Sequence, residues 1–93
     1  MSELKQVNGI ELRKLLSDKK LILGTDRVLK MLRLSKLAKV ILSSNCPETD
    51  VKDINKYSSL SGTETIHANQ TNEQFGLLLK KPFHISVMGV IKK

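Results

Sequence analysis

Hydrophobic and polar positions alternate along this chain with two periods, one typical of helices and one of strands. Apolar residues at helical spacing cover residues 3–17, about 26–34, a segment that follows the loop 45–50 and ends at Gly62, and a stretch from Asn72 onward. Short apolar runs between them predict strands over 21–23, 38–43, 64–68 and 84–91. Because a helix precedes each strand, the order predicts an α/β fold, a three-layer α/β/α sandwich with a mixed sheet of about four strands.

A few residues mark where these predicted elements begin and end. Thr25 or Asp26 is suited to cap the second helix, and Asn72 the fourth, since their side-chain oxygens can accept from free backbone amides. Gly62 ends the third helix, and Pro82 interrupts the chain before the last strand. The two faces of the last strand are expected to be Ile85, Val87 and Ile91 on one side and His84, Ser86, Met88 and Val90 on the other.

Composition narrows the class of partner. A chain of 93 residues predicts one domain over 1–93 with a modest core. Its net charge of +7 favours a polyanionic partner, nucleic acid before an anionic membrane surface. Residues 1–40 carry ten Lys and Arg against four Asp and Glu, whereas residues 41–93 carry six against five. The basic footprint is therefore expected in the first half.

The sequence contains little that suggests catalysis. Cys46 is the single cysteine, so no internal disulfide or multi-cysteine metal site is predicted. His67 and His84 fall in predicted strands, where a histidine is more often packed or exposed than reactive. No apolar run approaches the length of a membrane span, and no secretory signal is evident. We therefore expect a cytoplasmic protein that is not an enzyme, with no cofactor and no metal.

The turn Gly24-Thr25-Asp26-Arg27 carries the strongest functional signal. Glycine lets backbone approach a ligand closely, and the free amides of a helix start suit a phosphate. Arg27 and Lys30 share one helical face.

Two further loops, around Asn45 and around Phe83, are expected at the same end of the sheet. Together with the glycine turn they suit an RNA whose unstacked bases are splayed out. For four of these residues a purely structural role stays open as an alternative to RNA contact: Lys30 as an ordinary surface lysine, Asn45 as a turn or cap residue, Phe83 as core, and Asp26 as a helix cap.

Five segments carry a family resemblance: Leu23-Gly24 through Arg33, 38–42, Ser44-Asn45-Cys46-Pro47, 54–62 and 72–83. In their order and spacing they resemble the kink-turn-binding ribosomal protein superfamily, and within it the large-subunit branch called protein thirty in archaea and eukaryotes. The resemblance covers about residues 10–91. It implies an α/β/α fold that binds a kinked internal loop of ribosomal RNA, neighbouring ribosomal proteins as further partners, no membrane, and a monomer outside the ribosome. The RNA-binding residues that the resemblance implies are Gly24, Asp26, Arg27, Lys30, Asn45, Phe83, His84 and Ile85, and the glycine turn adds Thr25 to the predicted site.

Several positions depart from the patterns of this superfamily. Sister members that serve several ribonucleoproteins typically have Asn-Glu where this chain has Asp26-Arg27. The protein-thirty branch usually has glycine at Ser35 and at Lys80. Two alternatives remain: a shared core protein of guide-RNA or tRNA-processing particles, and a protein–protein adaptor of the same fold.

Overall fold

The computed structural model describes residues 9–92, in which four helices alternate with four strands. The helices are α1 (Gly9–Ser17), α2 (Thr25–Arg33), α3 (Glu48–Ser61) and α4 (Asn72–Leu78). The strands are β1 (Leu21–Leu23), β2 (Leu37–Leu42), β3 (Glu64–His67) and β4 (Val87–Ile91). Within this part of the chain, no helix is both long and apolar enough to cross a bilayer.

The strands form one mixed sheet in the order β1-β4-β2-β3. β4 runs antiparallel to both of its neighbours, whereas β2 and β3 are parallel. The C-terminal ends of β1, β2 and β3 therefore lie at the same edge of the sheet as the start of β4. We call this edge, formed by residues 24–25, 43–47, 68–72 and 82–86, the loop end.

Two separate hydrophobic clusters cover the two faces of the sheet. On one face, Leu12 of α1 and Phe75 of α4 pack with Met88. On the other face, Val28 of α2 and Ile54 of α3 pack against the sheet. Apolar side chains on both faces of a sheet require a helical layer on each, which confirms the predicted three-layer sandwich.

The predicted elements are confirmed, with shifts at their boundaries. β1 has the predicted bounds, and Gly62 ends α3 in the left-handed conformation at φ 69°. α3 begins at Glu48, inside the predicted loop 45–50. The predicted first helix is confirmed over residues 9–17, and its residues 3–8 lie outside the described part of the chain.

The cap of the fourth helix differs from the prediction. Thr71, not Asn72, is the N-cap: its hydroxyl accepts from the amide of Gln74 at 3.2 Å. The side chain of Gln74 in turn accepts from the Thr71 amide at 2.8 Å, which completes a capping box. This arrangement releases the Asn72 side chain for contacts with other loops.

The last strand begins at Val87 rather than at residue 84. Ile85 precedes it, and its amide donates to the carbonyl of Asn72 at 3.0 Å instead of to a strand. The predicted alternation is correct for Val87 and Met88, which join opposite clusters, but wrong for Ile85, which packs in the Met88 cluster. His84 is consequently a loop residue and not a strand residue.

Three non-glycine residues of the described chain adopt positive φ just after helices, and the first of them is Lys19, which follows α1 at φ 60°. Ser35 follows α2 and Lys80 follows α4, each at φ 55°. These are the two positions at which the resemblance implies glycine. A side chain in the left-handed region costs about 1–2 kcal/mol, so glycine has a conformational advantage at both.

Candidate RNA interface

The glycine turn joins β1 to α2 at the loop end. The Gly24 amide donates to the carbonyl of Val87 at 3.0 Å, which ties the turn to the start of β4. Gly24 has φ 102° and ψ 141°, and a Cβ built there would meet nothing within 4 Å. Glycine is therefore required by the backbone conformation rather than by crowding, and the turn presents open backbone to solvent.

The start of α2 supplies donors and cations beside this turn. Gly24 is the N-cap, and no side chain caps the helix, so the predicted capping by Thr25 or Asp26 is wrong. The Thr25 hydroxyl instead donates to the carboxylate of Asp50 in α3 at 3.3 Å. Because the first amides of a helix lack partners within it, this start suits an anion. Asp26, Arg27 and Lys30 are all exposed.

Asn45 and Asn72 join the second loop to the start of α4. The Asn72 amide donates to Asn45 Oδ1 at 2.9 Å, and Asn45 Nδ2 donates to Asn72 Oδ1 at 3.2 Å. Asn72 Nδ2 donates to Ser86 Oγ at 3.2 Å, just before β4. Asn45 thus stabilises a turn rather than capping α3, whose N-cap is Pro47.

Phe83 and His84 form the third loop, and both are exposed. Phe83 is 51% exposed, so it is not a core residue and its ring is open to a stacking partner. Ile85 is 2% exposed, so its side chain belongs to the core and its contribution to the surface is through the backbone.

Gly76 sets the position of this third loop. It lies in α4, and a Cβ at this residue would clash with the carbonyl oxygen of Phe83. Only a glycine therefore allows the helix and the loop to approach this closely.

The structure brings the glycine turn and the Phe83 loop to a common concave surface. The depression has a volume of about 450 Å³ and includes Gly24, Thr25, Arg27, Phe83 and His84 in its lining. Lys30 lies on α2 outside this lining, and Asn45 reaches the surface indirectly, through Asn72 and Ser86.

Sequence analysis missed Asn72 and Gly76 as residues that shape the site. The signals available were an asparagine, which bonds readily to nearby backbone, and a glycine inside a helical pattern, which often marks a close approach.

The loop end is polar but not strongly basic. Carboxylates occupy the first turns of three helices, where the helix dipole favours them. The cations near this end are Arg27, Lys30 and Lys81, and the carboxylates are Asp26, Glu48, Asp50 and Glu73. Much of the positive charge of the first forty residues therefore lies elsewhere, and shape and backbone donors distinguish this end more than net charge does.

Cys46 lies next to Asn45 in the second of these loops and is a half-buried thiol. Burial, and secondarily the carboxylate of Asp50, raises the pKa of Cys46 to about 11. The thiol is therefore protonated near neutral pH and a poor nucleophile. Within residues 9–92, no group of three or more His, Cys, Asp or Glu side chains is placed to bind a metal ion.

These features define a small α/β/α domain whose candidate functional surface is built from loops at one edge of the sheet. Residues 7–93 match the model of the Ribosomal protein L7Ae/L30e/S12e/Gadd45 family. The chain belongs to this family, which confirms the superfamily resemblance.

Named relatives place the chain near one branch of that family. It is 35% identical over 81 residues to the large ribosomal subunit protein eL30 of Sulfolobus acidocaldarius, covering 87% of this chain and 78% of the relative. It is 33% identical over 88 residues to eL30 of Sulfurisphaera tokodaii, covering 92% and 83%. These matches confirm the predicted likeness to the protein-thirty branch.

Solved structures support the fold. The 15.5kD RNA binding protein of Giardia lamblia superimposes with a TM-score of 0.76 at 16% identity, covering 96% of this chain and 79% of that one. A Bacillus halodurans protein of unknown function superimposes with a TM-score of 0.79 at 20% identity, covering 87% and 80%. At these identities the similarity concerns the fold alone.

Proposed function

We propose that this protein is a structural constituent of the large ribosomal subunit and binds a kinked internal loop of ribosomal RNA. The observation that carries the proposal is the junction of three loops at one end of the sheet, with Gly24 and Phe83 both open to solvent. The eL30 relatives indicate the particle in which such a surface works. The proposed setting is the ribosome in the cytoplasm, with neighbouring ribosomal proteins as further partners and a monomer outside the particle.

Each loop has a distinct role in this proposal. Backbone at Gly24 and the first amides of α2 approach the phosphates of the kink, and Arg27 adds a charge-assisted contact. Phe83 stacks on a base that the kink has unstacked, a contact worth about 1–3 kcal/mol. Asn45 bonds to Asn72 through one oxygen and one amide hydrogen, which leaves further capacity for a base or sugar.

Two alternatives are less well supported. A core protein of guide-RNA particles resembles this chain in fold, but Asp26-Arg27 replaces the Asn-Glu pair typical of such proteins. A protein–protein adaptor does not explain why helix starts, open glycine backbone and an exposed aromatic ring meet at one edge. No catalytic step is proposed, because the named relatives are proteins of the large ribosomal subunit.

The primary test compares a kinked ribosomal RNA with the same RNA after deletion of its bulge. Gel-shift titrations at two salt concentrations should show a strong preference for the kinked RNA that survives the higher salt. Charge-driven binding loses affinity steeply with salt, whereas shape selection changes the ratio of the two Kd values. Equal, salt-labile binding of both RNAs would refute the proposal.

Two single substitutions test whether the loop end is the RNA-binding surface. Phe83→Ala should weaken binding of the kinked RNA about 5–150-fold, because it removes one stacked base. Leu60→Ala is the matched control, because Leu60 is also exposed, at 78%, but lies in the last turn of α3. A Phe83→Ala variant that binds as tightly as Leu60→Ala would exclude the loop end as the interface.

A further inference from the structure

The sheet edge opposite the loop end gathers five cations. Lys19 and Lys20 lie in the turn before β1, Arg33 ends α2, Lys36 precedes β2 and Lys92 follows β4. All five are exposed. We call this surface, formed by those five residues, the lysine end.

Strand register brings together lysines that are far apart in the sequence. The Lys92 amide donates to the carbonyl of Lys36 at 2.9 Å, and the Ile91 amide donates to the carbonyl of Lys20 at 2.9 Å. The end of β4 therefore lies between the segment that contains Lys20 and the segment that contains Lys36, and the backbone of each is about 4.8 Å away. These backbone separations are comparable to the Debye length of about 8 Å at physiological salt, so one RNA backbone that follows this end of the sheet meets the potential of more than one lysine.

Little opposes this charge locally. Asp18 is the carboxylate of the turns that carry these cations. The four lysines form no ion pair with another side chain of residues 9–92. The C-terminal ends of α1, α2 and α3 also lie at this edge, and their dipoles offset part of the charge. The exposed Glu64, which begins β3 at the same end of the sheet, is a second carboxylate, and five cations against two carboxylates still leave a positive surface.

We propose that the lysine end binds the phosphate backbone of a second RNA segment. The inference rests on the proposed function, because it takes the loop end to be occupied by the kinked loop. The molecule measures 31 × 28 × 21 Å, so opposite edges of its sheet face different parts of a folded RNA. Lysines contact phosphates as point charges without reading bases. This contact therefore adds affinity and sets the distance between the two RNA segments, but it adds no sequence preference.

The test measures a second binding event on protein that is already saturated with the short kinked RNA. A labelled, unkinked duplex RNA is added at low and at physiological ionic strength, and the ternary complex is followed by gel shift. The test variant carries Lys20→Gln, Lys36→Gln and Lys92→Gln. The control variant carries Arg13→Gln, Lys52→Gln and Lys56→Gln, which removes the same charge from exposed positions on α1 and α3.

The wild type and the control should form the ternary complex, and the test variant should form it at least about tenfold more weakly. The slope of log K against log salt should fall by about one unit for each lost lysine, or about three units. Affinity for the kinked RNA should be the same in all three proteins.

Two results would overturn the proposal: a test variant that binds the duplex like the control, or a saturated wild type that binds no duplex. Failure of the proposed function is distinct, since it would appear in the first titration as equal affinity for kinked and bulge-deleted RNA.

Discussion

The two ends of the sheet are built on different principles. The loop end holds three loops together by hydrogen bonds from Gly24, Asn45 and Asn72, and its cations are balanced by carboxylates. The lysine end consists of turns whose exposed ammonium groups contact no carboxylate of the described chain.

Under the two proposals, this difference assigns selectivity for RNA shape to the loop end and electrostatic attraction to the lysine end. A surface with balanced charge discriminates by the position of donors, backbone and one aromatic ring, so its preference should tolerate salt. A surface of bare lysines attracts any phosphate backbone, and its contribution should vanish as salt rises. The net charge of +7 is therefore a poor guide to where the selective site lies.

Among the substitutions that follow, Gly24→Ala is expected to cause the largest loss of affinity for the kinked RNA. At φ 102° and ψ 141° a side chain costs about 1–3 kcal/mol, and the turn should relax to a shape that no longer fits the kink. Affinity for the kinked RNA should fall at least about tenfold.

Gly62→Ala is the matched control for that substitution. Gly62 has φ 69° and also has open space at its Cβ, but it caps α3 far from the loop end. It should lose about 1 kcal/mol of stability and keep its RNA preference. Equal RNA binding by the two variants would contradict the assignment of the selective site to the glycine turn.

Gly76→Ala should have the next largest effect. The new methyl group must displace the Phe83 carbonyl, which moves the third loop and costs about 1–3 kcal/mol of stability. Titration with both RNAs should show a severalfold weaker preference for the kinked one. Leu77→Ala, at the neighbouring residue with a 73% exposed side chain, should change neither quantity appreciably.

Asn72→Ala should loosen the contacts between loops without a steric clash. It removes the side-chain bonds to Asn45 and Ser86, each worth about 1 kcal/mol. The ratio of Kd values for bulge-deleted and kinked RNA should fall, and binding of unkinked duplex at the lysine end should stay constant. Asn69→Ala is the control, because this nearby asparagine is exposed. Matching ratios for the two variants would exclude Asn72 as a positioning residue.

Ser35→Gly should slightly raise the stability of the protein, whereas the glycine substitutions above lower it. Relief of the positive φ should raise the free energy of unfolding by up to about 1 kcal/mol, measured by denaturant titration. Because Ser35 adjoins Lys36 and not the loop end, the preference for kinked RNA should not change. A loss of stability would show that the Ser35 side chain itself stabilises this turn.

The smallest effect concerns Cys46 at alkaline pH. Its pKa in the folded protein, about 11, lies above the ordinary 9.0, so the unfolded chain loses this proton first as pH rises. Stability from this group is therefore unchanged below pH 9 and declines between about pH 9 and 11. Denaturation of wild type and Cys46→Ser across this range should show a steeper decline in the wild type. Parallel curves would exclude Cys46 as its source.

Local sequence was sufficient to predict the elements and the layers. The apolar run at 21–23 and the helical spacing of Val28, Leu29 and Leu32 depend on neighbouring residues, and both predictions are confirmed. Gly62 likewise ends its helix by its own conformational freedom. The RNA contacts predicted for the site residues stay predictions, although the structure places Gly24, Arg27 and Phe83 around one depression.

Only the tertiary structure decided which contacts are made by residues that look equivalent in the sequence. Thr71 and Asn72 are both good caps in sequence, and the capping box with Gln74 decides between them and directs Asn72 to Asn45 and Ser86. The sequence by itself determined periodicity, helix ends and net charge, because these depend on residues a few positions apart. Sheet order and register decided that Lys20, Lys36 and Lys92 meet at one edge, because pairing of distant strands is set by the packing of the whole core.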